Sequence, residues 1–183
     1  MSESSETNNT LCTTTTVQVS GPDLIMTAVT PNASTVNQGA TLSVTDTTQN
    51  QGLLATGVTM KVGYHLSVNT TYGDGDDVAI TTTRSVSSLA AGASSTATTS
   101  LTIPATTPPG TYHVCAMSDS ALQVTESNES NNTLCSTGTV TVPPVDLIMS
   151  AVSTTASTLA AGSNFTLSNT ANGPRLRSSP VLE

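Results

Sequence analysis

The stretch from Val58 to Val68 reads VTMKVGYHLSV, and each of its six even-numbered positions is apolar. Apolar residues at a period of two are typical of a β-strand with one buried face. Six further short runs lie between clusters of Gly, Pro, Asn and Ser, at 24–29, 40–48, 78–86, 94–103, 111–117 and 133–142. About seven short strands in ~120 residues predict an all-β, immunoglobulin-like β-sandwich. Tyr112 lies at the start of the run 111–117, the sixth strand along the chain, where such folds often carry a tyrosine corner.

Composition and charge exclude several classes of protein. The 183 residues include four Lys and Arg against twelve Asp and Glu, a net charge of −8, and only 2% aromatic residues. Four cations are too few for a phosphate-binding face, so we expect no nucleic-acid partner. No apolar run approaches the roughly 18 residues of a membrane span, so we expect no membrane insertion in this segment. The composition therefore predicts an all-β, acidic, extracytoplasmic protein.

The sequence repeats itself at an offset of 123 residues. Residues 3–12, ESSETNNTLC, recur as ESNESNNTLC at 126–135, and DLIMTAV at 23–29 recurs as DLIMSAV at 146–152. We therefore expect one complete repeat with partial repeats at both ends. The predicted units are the C-terminal end of a preceding repeat (1–20), a complete repeat (21–142), the N-terminal strands of a following repeat (143–170) and a divergent, disordered tail (171–183).

Within the complete repeat, a series of motifs resembles the bacterial cell-adhesion-related domain, CARDB. In order these are Pro22-Asp23-Leu24, Asn50-Gln51-Gly52, Tyr64-His65-Leu66-Ser67, the segment 89–95, Pro109-Gly110-Thr111-Tyr112, and Glu126 with Glu129, Asn131 and Asn132. The resemblance implies an immunoglobulin-like module, usually in tandem, of large secreted or surface proteins of bacteria and archaea. The family supplies no catalytic residues to carry over.

The repeat register organises the three cysteines. Cys12 and Cys135 occupy equivalent positions, so a full repeat owns two cysteines, one like Cys115 and one like Cys135. By strand parity Cys115 and Cys135 both point to the solvent side of neighbouring strands, which predicts a disulfide between them and leaves Cys12 free or intermolecular. A disulfide implies an oxidising compartment. Two unpaired surface thiols are the alternative.

Asp74, Asp76 and Asp77 give one loop the highest charge density in the chain. Carboxylate and carbonyl oxygens are the ligands of Ca²⁺, so these three residues are candidate calcium ligands, with weak affinity as in other extracellular modules. The spacing lacks the regularity of an EF-hand. The alternative is a solvated hairpin turn in which Gly and Asp supply permissive backbone angles.

A second acidic cluster precedes the last strand. Glu126 and Glu129 lie in that loop, and Asp119 lies at its other end. We expect Asn131 and Asn132 to be turn residues that hydrogen-bond the backbone. The spacing does not demand a metal ion between repeats.

No catalytic site is predicted. His65, His113 and Lys61 fall on outward positions, and no carboxylate stands at a spacing that would orient either histidine. A nucleophile elbow of the Gly-x-Ser-x-Gly type is absent from the sequence.

The favoured function is a non-enzymatic structural or adhesive repeat. The linkers Ser20-Gly21-Pro22 and Pro143-Pro144 are short, and proline stiffens the second. The expected partners are other repeats of the same protein and a protein or glycan ligand. The alternative is an accessory substrate-binding or spacer module of a secreted hydrolase, a peptidase or a glycosidase, although few aromatic residues are available to stack on sugar rings.

Overall fold

A computed structural model describes residues 4, 7, 9–16 and 20–173. All regular elements among them are strands: β1 (Leu24–Pro31), β2 (Thr41–Asn50), β3 (Met60–Ser67), β4 (Val78–Val86), β5 (Ser94–Thr102), β6 (Gly110–Met117), β7 (Thr133–Val142), β8 (Ile148–Thr154) and β9 (Leu167–Asn172). Strands β1–β7 form two antiparallel sheets, ordered β1-β2-β5 and β4-β3-β6-β7. The all-β, immunoglobulin-like sandwich of seven strands is confirmed.

The core lies between the two sheets and is built from the alternating residues of each strand. In β2, Leu42 and Val44 face inward, and in β3 the even positions from Met60 to Leu66 are buried. Val58 and Val68 continue that alternation in the sequence but lie outside β3 and are exposed. Aliphatic side chains dominate the interior, as suits a chain with few aromatic residues. Its fully buried members include Leu24, Leu42, Val44, Met60, Val62, Tyr64, Leu66, Leu101, Ile103, Val114, Val140 and Val142.

Two details define the variety of sandwich. β4 pairs with β3 in the four-stranded sheet and not with β5, which leaves β5 and β4 as edge strands on the same side of the molecule. At the start of β6, the Tyr112 hydroxyl donates a hydrogen bond to the carbonyl oxygen of Pro108 at 2.8 Å. This backbone contact a few residues upstream is the tyrosine corner that the position of Tyr112 predicted.

The chain enters the sandwich at one end and leaves it at the other. Leu24 N, at the start of β1, donates to the Glu126 carboxylate, which also accepts from Asn132, the residue before β7. Beyond the end of β1, Val36 N donates to the carbonyl oxygen of Thr141 near the end of β7. β1 and β7 therefore lie side by side and run in the same direction.

No helix of the described residues has the length and apolar character to cross a membrane.

Hairpin β8–β9 copies hairpin β1–β2. Ile148 pairs with Asn172 as Ile25 pairs with Gln49, and each first strand has an irregularity in register after its methionine. β9 runs to Asn172, so the first two residues of the expected disordered tail belong to a strand, because the ladder continues past the point where sequence similarity ends. Residues 174–183 lie outside the described residues. At the other end, residues 9–16 form no strand, although we expected the last strand of a preceding repeat there.

Candidate functional site

The loop between β3 and β4, residues 68–77, carries the candidate metal ligands and is called the acidic loop below. One carboxylate oxygen from each of Asp74, Asp76 and Asp77 lies within 4.8 Å of those of the other two. Gly73 has a φ of 80°, in the left-handed region, and allows the sharp turn that gathers these side chains. The structure therefore brings together the three residues that the sequence singled out.

The side chain of Asn69 partly offsets the negative charge of this cluster. Its Nδ2 donates to Asp74 Oδ2 at 2.9 Å and to Asp76 Oδ2 at 3.1 Å, while its Oδ1 accepts from the backbone of Thr71. The Asn69 amide lowers the pKa of Asp74, and the contact with Asp74 raises the pKa of Asp76. The Nδ2 group of Asn69 thus lies between the carboxylates of Asp74 and Asp76, at a position that would also suit a cation.

Asp77 differs from the other two, because its side chain is only 2% exposed. Its Oδ2 lies 3.0 Å from His65 Nδ1 and accepts from Gly73 N, whereas its Oδ1 is buried without a hydrogen-bond partner. The His65 ring stacks on Tyr72, with ring centroids 4.3 Å apart. Burial, and then the Asp77 charge, raise the pKa of Tyr72.

Two expectations about the outer face of the four-stranded sheet β4-β3-β6-β7 are therefore wrong. A carboxylate does orient His65, since the acidic loop folds back and brings Asp77 to a histidine 12 positions earlier in the chain. Cys115 is fully buried, although its parity pointed to solvent. It lies on the central strand β6 between His65 of β3 and Cys135 of β7, so neighbours on both sides cover it.

Cys115 and Cys135 are directly opposite each other on β6 and β7 and are joined by a disulfide. This is the pair that the repeat register indicates. Cys12 is free and exposed. The disulfide therefore joins β7 to β6, and Cys115 is paired across the sheet with His65 of β3 on its other side.

The second acidic cluster fastens the start of β1 to the loop before β7, and we call it the entrance clasp: Asp23, Glu126, Asn131 and Asn132. Asn131 Nδ2 donates to Asp23 Oδ1 at 2.9 Å, and Asn132 Nδ2 donates to Glu126 Oε1 at 2.8 Å. The expectation that these amides serve the backbone is wrong, because both reach carboxylates of the clasp instead. Burial raises the pKa of Glu126 to about 7, with smaller contributions from the charges of Glu129 and Asp119.

A buried ion pair in the core is the main feature that sequence reasoning missed. Asp46 of β2 is fully buried and accepts from the Arg84 guanidinium of β4 and from the Tyr64 hydroxyl at 2.7 Å. Burial raises the pKa of Tyr64 to about 12. The available signal was parity: Asp46 continues the inward row of Leu42 and Val44, and Arg84 lies in register between inward positions of β4.

Among curated proteins, none matches the chain. Several solved structures are similar to the chain, among them the following three. A CARDB domain from Pyrococcus furiosus, solved in complex with di-metal ions, is 21% identical, with a TM-score of 0.47 over 69% of this chain and 98% of that one. A domain of a protein named as a cell surface protein, from Methanosarcina acetivorans, is 25% identical, with a TM-score of 0.44 over 66% of this chain and 91% of that one. A β-glucosidase from Listeria innocua is 19% identical, with a TM-score of 0.41; the match covers 68% of this chain but only 16% of the enzyme.

The family comparison covers most of the sandwich. The CARDB model matches residues 21–136, which is more than half of the chain and includes six of the seven strands of the sandwich in full. The matched segment contains the acidic loop, the buried ion pair, the disulfide and the entrance clasp. The chain belongs to the CARDB family.

Proposed function

We propose that this chain is a non-enzymatic structural or adhesive repeat of a secreted or cell-surface protein, in which the sandwich of residues 21–142 spaces its neighbours along a rod. The observation that carries this proposal is the parallel arrangement of β1 and β7. Because the chain enters at one end and leaves at the other, consecutive repeats add length. The 123-residue offset and the repeated hairpin pairing indicate how such units follow one another.

Small-angle scattering on one, two and three copies joined at the 123-residue period tests the spacing role. The ten residues of β7 span about 33 Å, so the maximum dimension should grow by about 35–40 Å with each copy. A matched set with Pro143→Gly and Pro144→Ser should show a broader distribution of lengths, since glycine and serine make a flexible linker. Growth that levels off as in a compact globule would contradict the proposal.

Surface exposure is tested separately. Antibodies raised against residues 21–142 should label intact cells of the source organism as strongly as permeabilised cells. Labelling only after permeabilisation would overturn the assignment to the cell surface.

We also propose that the acidic loop binds Ca²⁺ through Asp74, Asp76 and Asp77. Support comes from the convergence of the three carboxylates and from Asp77 Oδ1, a buried oxygen without a hydrogen-bond partner. Ca²⁺ takes six to eight oxygen ligands, so backbone carbonyls and water would complete the shell. Bound Ca²⁺ would supply the positive charge that the Asn69 amide supplies only in part.

Thermal unfolding of the full chain with 10 mM Ca²⁺, chosen from the usual range of about 10⁻⁴–10⁻³ M for extracellular modules, tests this site. Binding to the folded state alone should raise the melting temperature by about 4–8 °C, reversibly with a chelator. The variant Asp74→Asn/Asp76→Asn should lose the shift. Asp146→Asn, which removes an exposed carboxylate elsewhere, should keep it. An equal shift in all three proteins, or none in the wild type, would show that the acidic loop is a solvated hairpin turn and not a Ca²⁺ site.

A further inference from the structure

The two hairpins present the same apolar face in opposite environments. Leu24 and Val44 of hairpin β1–β2 are fully buried, whereas the equivalent Leu147 and Leu167 of hairpin β8–β9 are 70% and 55% exposed. What buries the first face is the body, defined here as β3–β7 with their loops, residues 55–142. Hairpin β8–β9 of one molecule is therefore a potential competitor for the body of another.

Three inward polar side chains of β2 bind the body. Asp46 pairs with Arg84 and Tyr64. The Thr48 hydroxyl lies 2.6 Å from the Ser118 hydroxyl, and both are buried. Asn50 Nδ2 donates to the carbonyl oxygens of residues 89 and 90 of the body at 3.2 Å each, while its other side-chain hydrogen bonds stay within residues 23–54.

None of these three groups is preserved in hairpin β8–β9. At the offset of 123, Asp46 is replaced by Asn169, Thr48 by Ala171 and Asn50 by Gly173. In the body of this chain, Asn169 would leave the Arg84 guanidinium buried without a counter-ion, which is among the most unfavourable changes in a core. Alanine would leave the buried Ser118 hydroxyl without the partner it has in Thr48, and glycine would remove the two hydrogen bonds that Asn50 donates to the body.

The apolar positions add a steric penalty. Leu42 and Val44 are both fully buried, and their equivalents are the larger Phe165 and Leu167. A well-packed core accepts added volume only with strain. The first strands, by contrast, are nearly identical, since LIMTAV in β1 corresponds to LIMSAV at 147–152. The body can therefore distinguish hairpin β1–β2 from hairpin β8–β9 only by the second strand of each hairpin.

We propose that the inward polar side chains of β2, Asp46 above all, are the specificity determinants with which the body retains hairpin β1–β2 and excludes hairpin β8–β9 of a second copy. Exchange within one molecule is ruled out by distance. β8 would have to start beside the start of β7, but the chain leaves β7 at its other end, and the eight residues of β1 alone span about 26 Å. The five residues 143–147 reach about 17 Å at most.

Refolding of the full chain from urea at about 1 mM, followed by size-exclusion chromatography with light scattering, tests this assignment. That concentration is near the effective concentration of a short tether, so equivalent hairpins would exchange. The wild type should refold as a monomer. Asn169→Asp/Ala171→Thr/Gly173→Asn, which gives β9 the inward polar groups of β2, should form exchanged dimers and oligomers with at least about 100-fold tighter association.

A matched control changes the outward positions of the same hairpin. Thr166→Ser/Ser168→Thr/Asn172→Gln also makes the hairpin more like β1–β2, but should remain monomeric like the wild type. All these substitutions lie outside the body, so its melting transition reports whether it stays folded.

A second variant tests the body directly. Arg84→Met removes the buried charge that Asn169 cannot satisfy, and it should let the unchanged hairpin β8–β9 exchange more than in the wild type. The proposal is overturned if the inward variant associates no more than the outward control, if the wild type exchanges as readily as the inward variant, or if Arg84→Met has no effect on association.

Discussion

The entrance clasp should make the stability of the sandwich depend on pH near neutrality. Glu126 has a pKa of about 7 in the folded protein, against an ordinary 4.5, chiefly because it is partly buried. Between these values the folded state holds a proton that the unfolded state has released. Its contribution to the free energy of unfolding is therefore fully present below about pH 4.5 and is lost as the pH rises through 7. We expect the protein to become less stable from pH 4.5 to 8 in calcium-free buffer.

The structure sets the size of this effect. The difference between about 7 and 4.5 corresponds to at most about 3–4 kcal/mol, since each pKa unit is worth about 1.4 kcal/mol. The Glu126 side chain is only half-buried, so screening by solvent reduces the expected loss to about 1–2 kcal/mol. The nearby charges of Asp119 and Glu129 act in the same direction.

Urea denaturation at half-unit steps from pH 4.5 to 8 measures this dependence, and Glu126→Gln isolates it. Glutamine stays neutral, and rotation of the Asn132 amide would turn its buried, unpaired Oδ1 toward the new side-chain donor. At pH 8 the variant should be about 1–2 kcal/mol more stable than the wild type, with the difference vanishing near pH 4.5. Asp146→Asn is the matched control and should follow the wild type. Parallel pH profiles for Glu126→Gln and the wild type would refute the reasoning.

Three further predictions concern the core, the disulfide and the flanks. Cys115→Ser/Cys135→Ser should lower the free energy of unfolding by about 3 kcal/mol, because the bond closes a loop with a sequence separation of 20; urea curves of the wild type with and without reductant should differ equally. Asp46→Asn should cost about 3–5 kcal/mol by leaving Arg84 unpaired, and Asp46→Leu/Arg84→Met should recover most of it, whereas equal losses in both variants would contradict a charge effect. Limited proteolysis followed by mass spectrometry should cut outside residues 21–142 first, since no sheet covers the apolar face of hairpin β8–β9; flanks as resistant as the centre would show that they are packed.

Local pattern sufficed to predict the strands. β4 and β7 begin and end at the predicted residues, because the Gly- and Asn-rich clusters before them and the polar or proline residues after them bound the apolar alternation. β3 is shorter than its alternation, since Val58 and Val68 reach past the paired region into loops. The acidic loop was found in the sequence because its charge density is unusual in a chain with 9% charged residues.

Contacts between distant segments could not be predicted in the same way. His65 meets Asp77 only because the acidic loop folds back on the sheet, and Asn131 meets Asp23 because the start of β1 lies beside the start of β7. Neither contact has a spacing rule, since loop paths depend on the packing of the whole domain.

The sequence by itself determined the seven-strand sandwich, the 123-residue repeat, the cysteine pair and the three carboxylates of the acidic loop. These features depend on period-two burial, internal similarity and local charge, all of which are written along the chain. Only the tertiary structure decided that Asp46 and Arg84, 38 positions apart on different sheets, form an ion pair across the core. A buried charge is tolerated only where its partner stands opposite, and that placement exists once the two sheets have packed face to face.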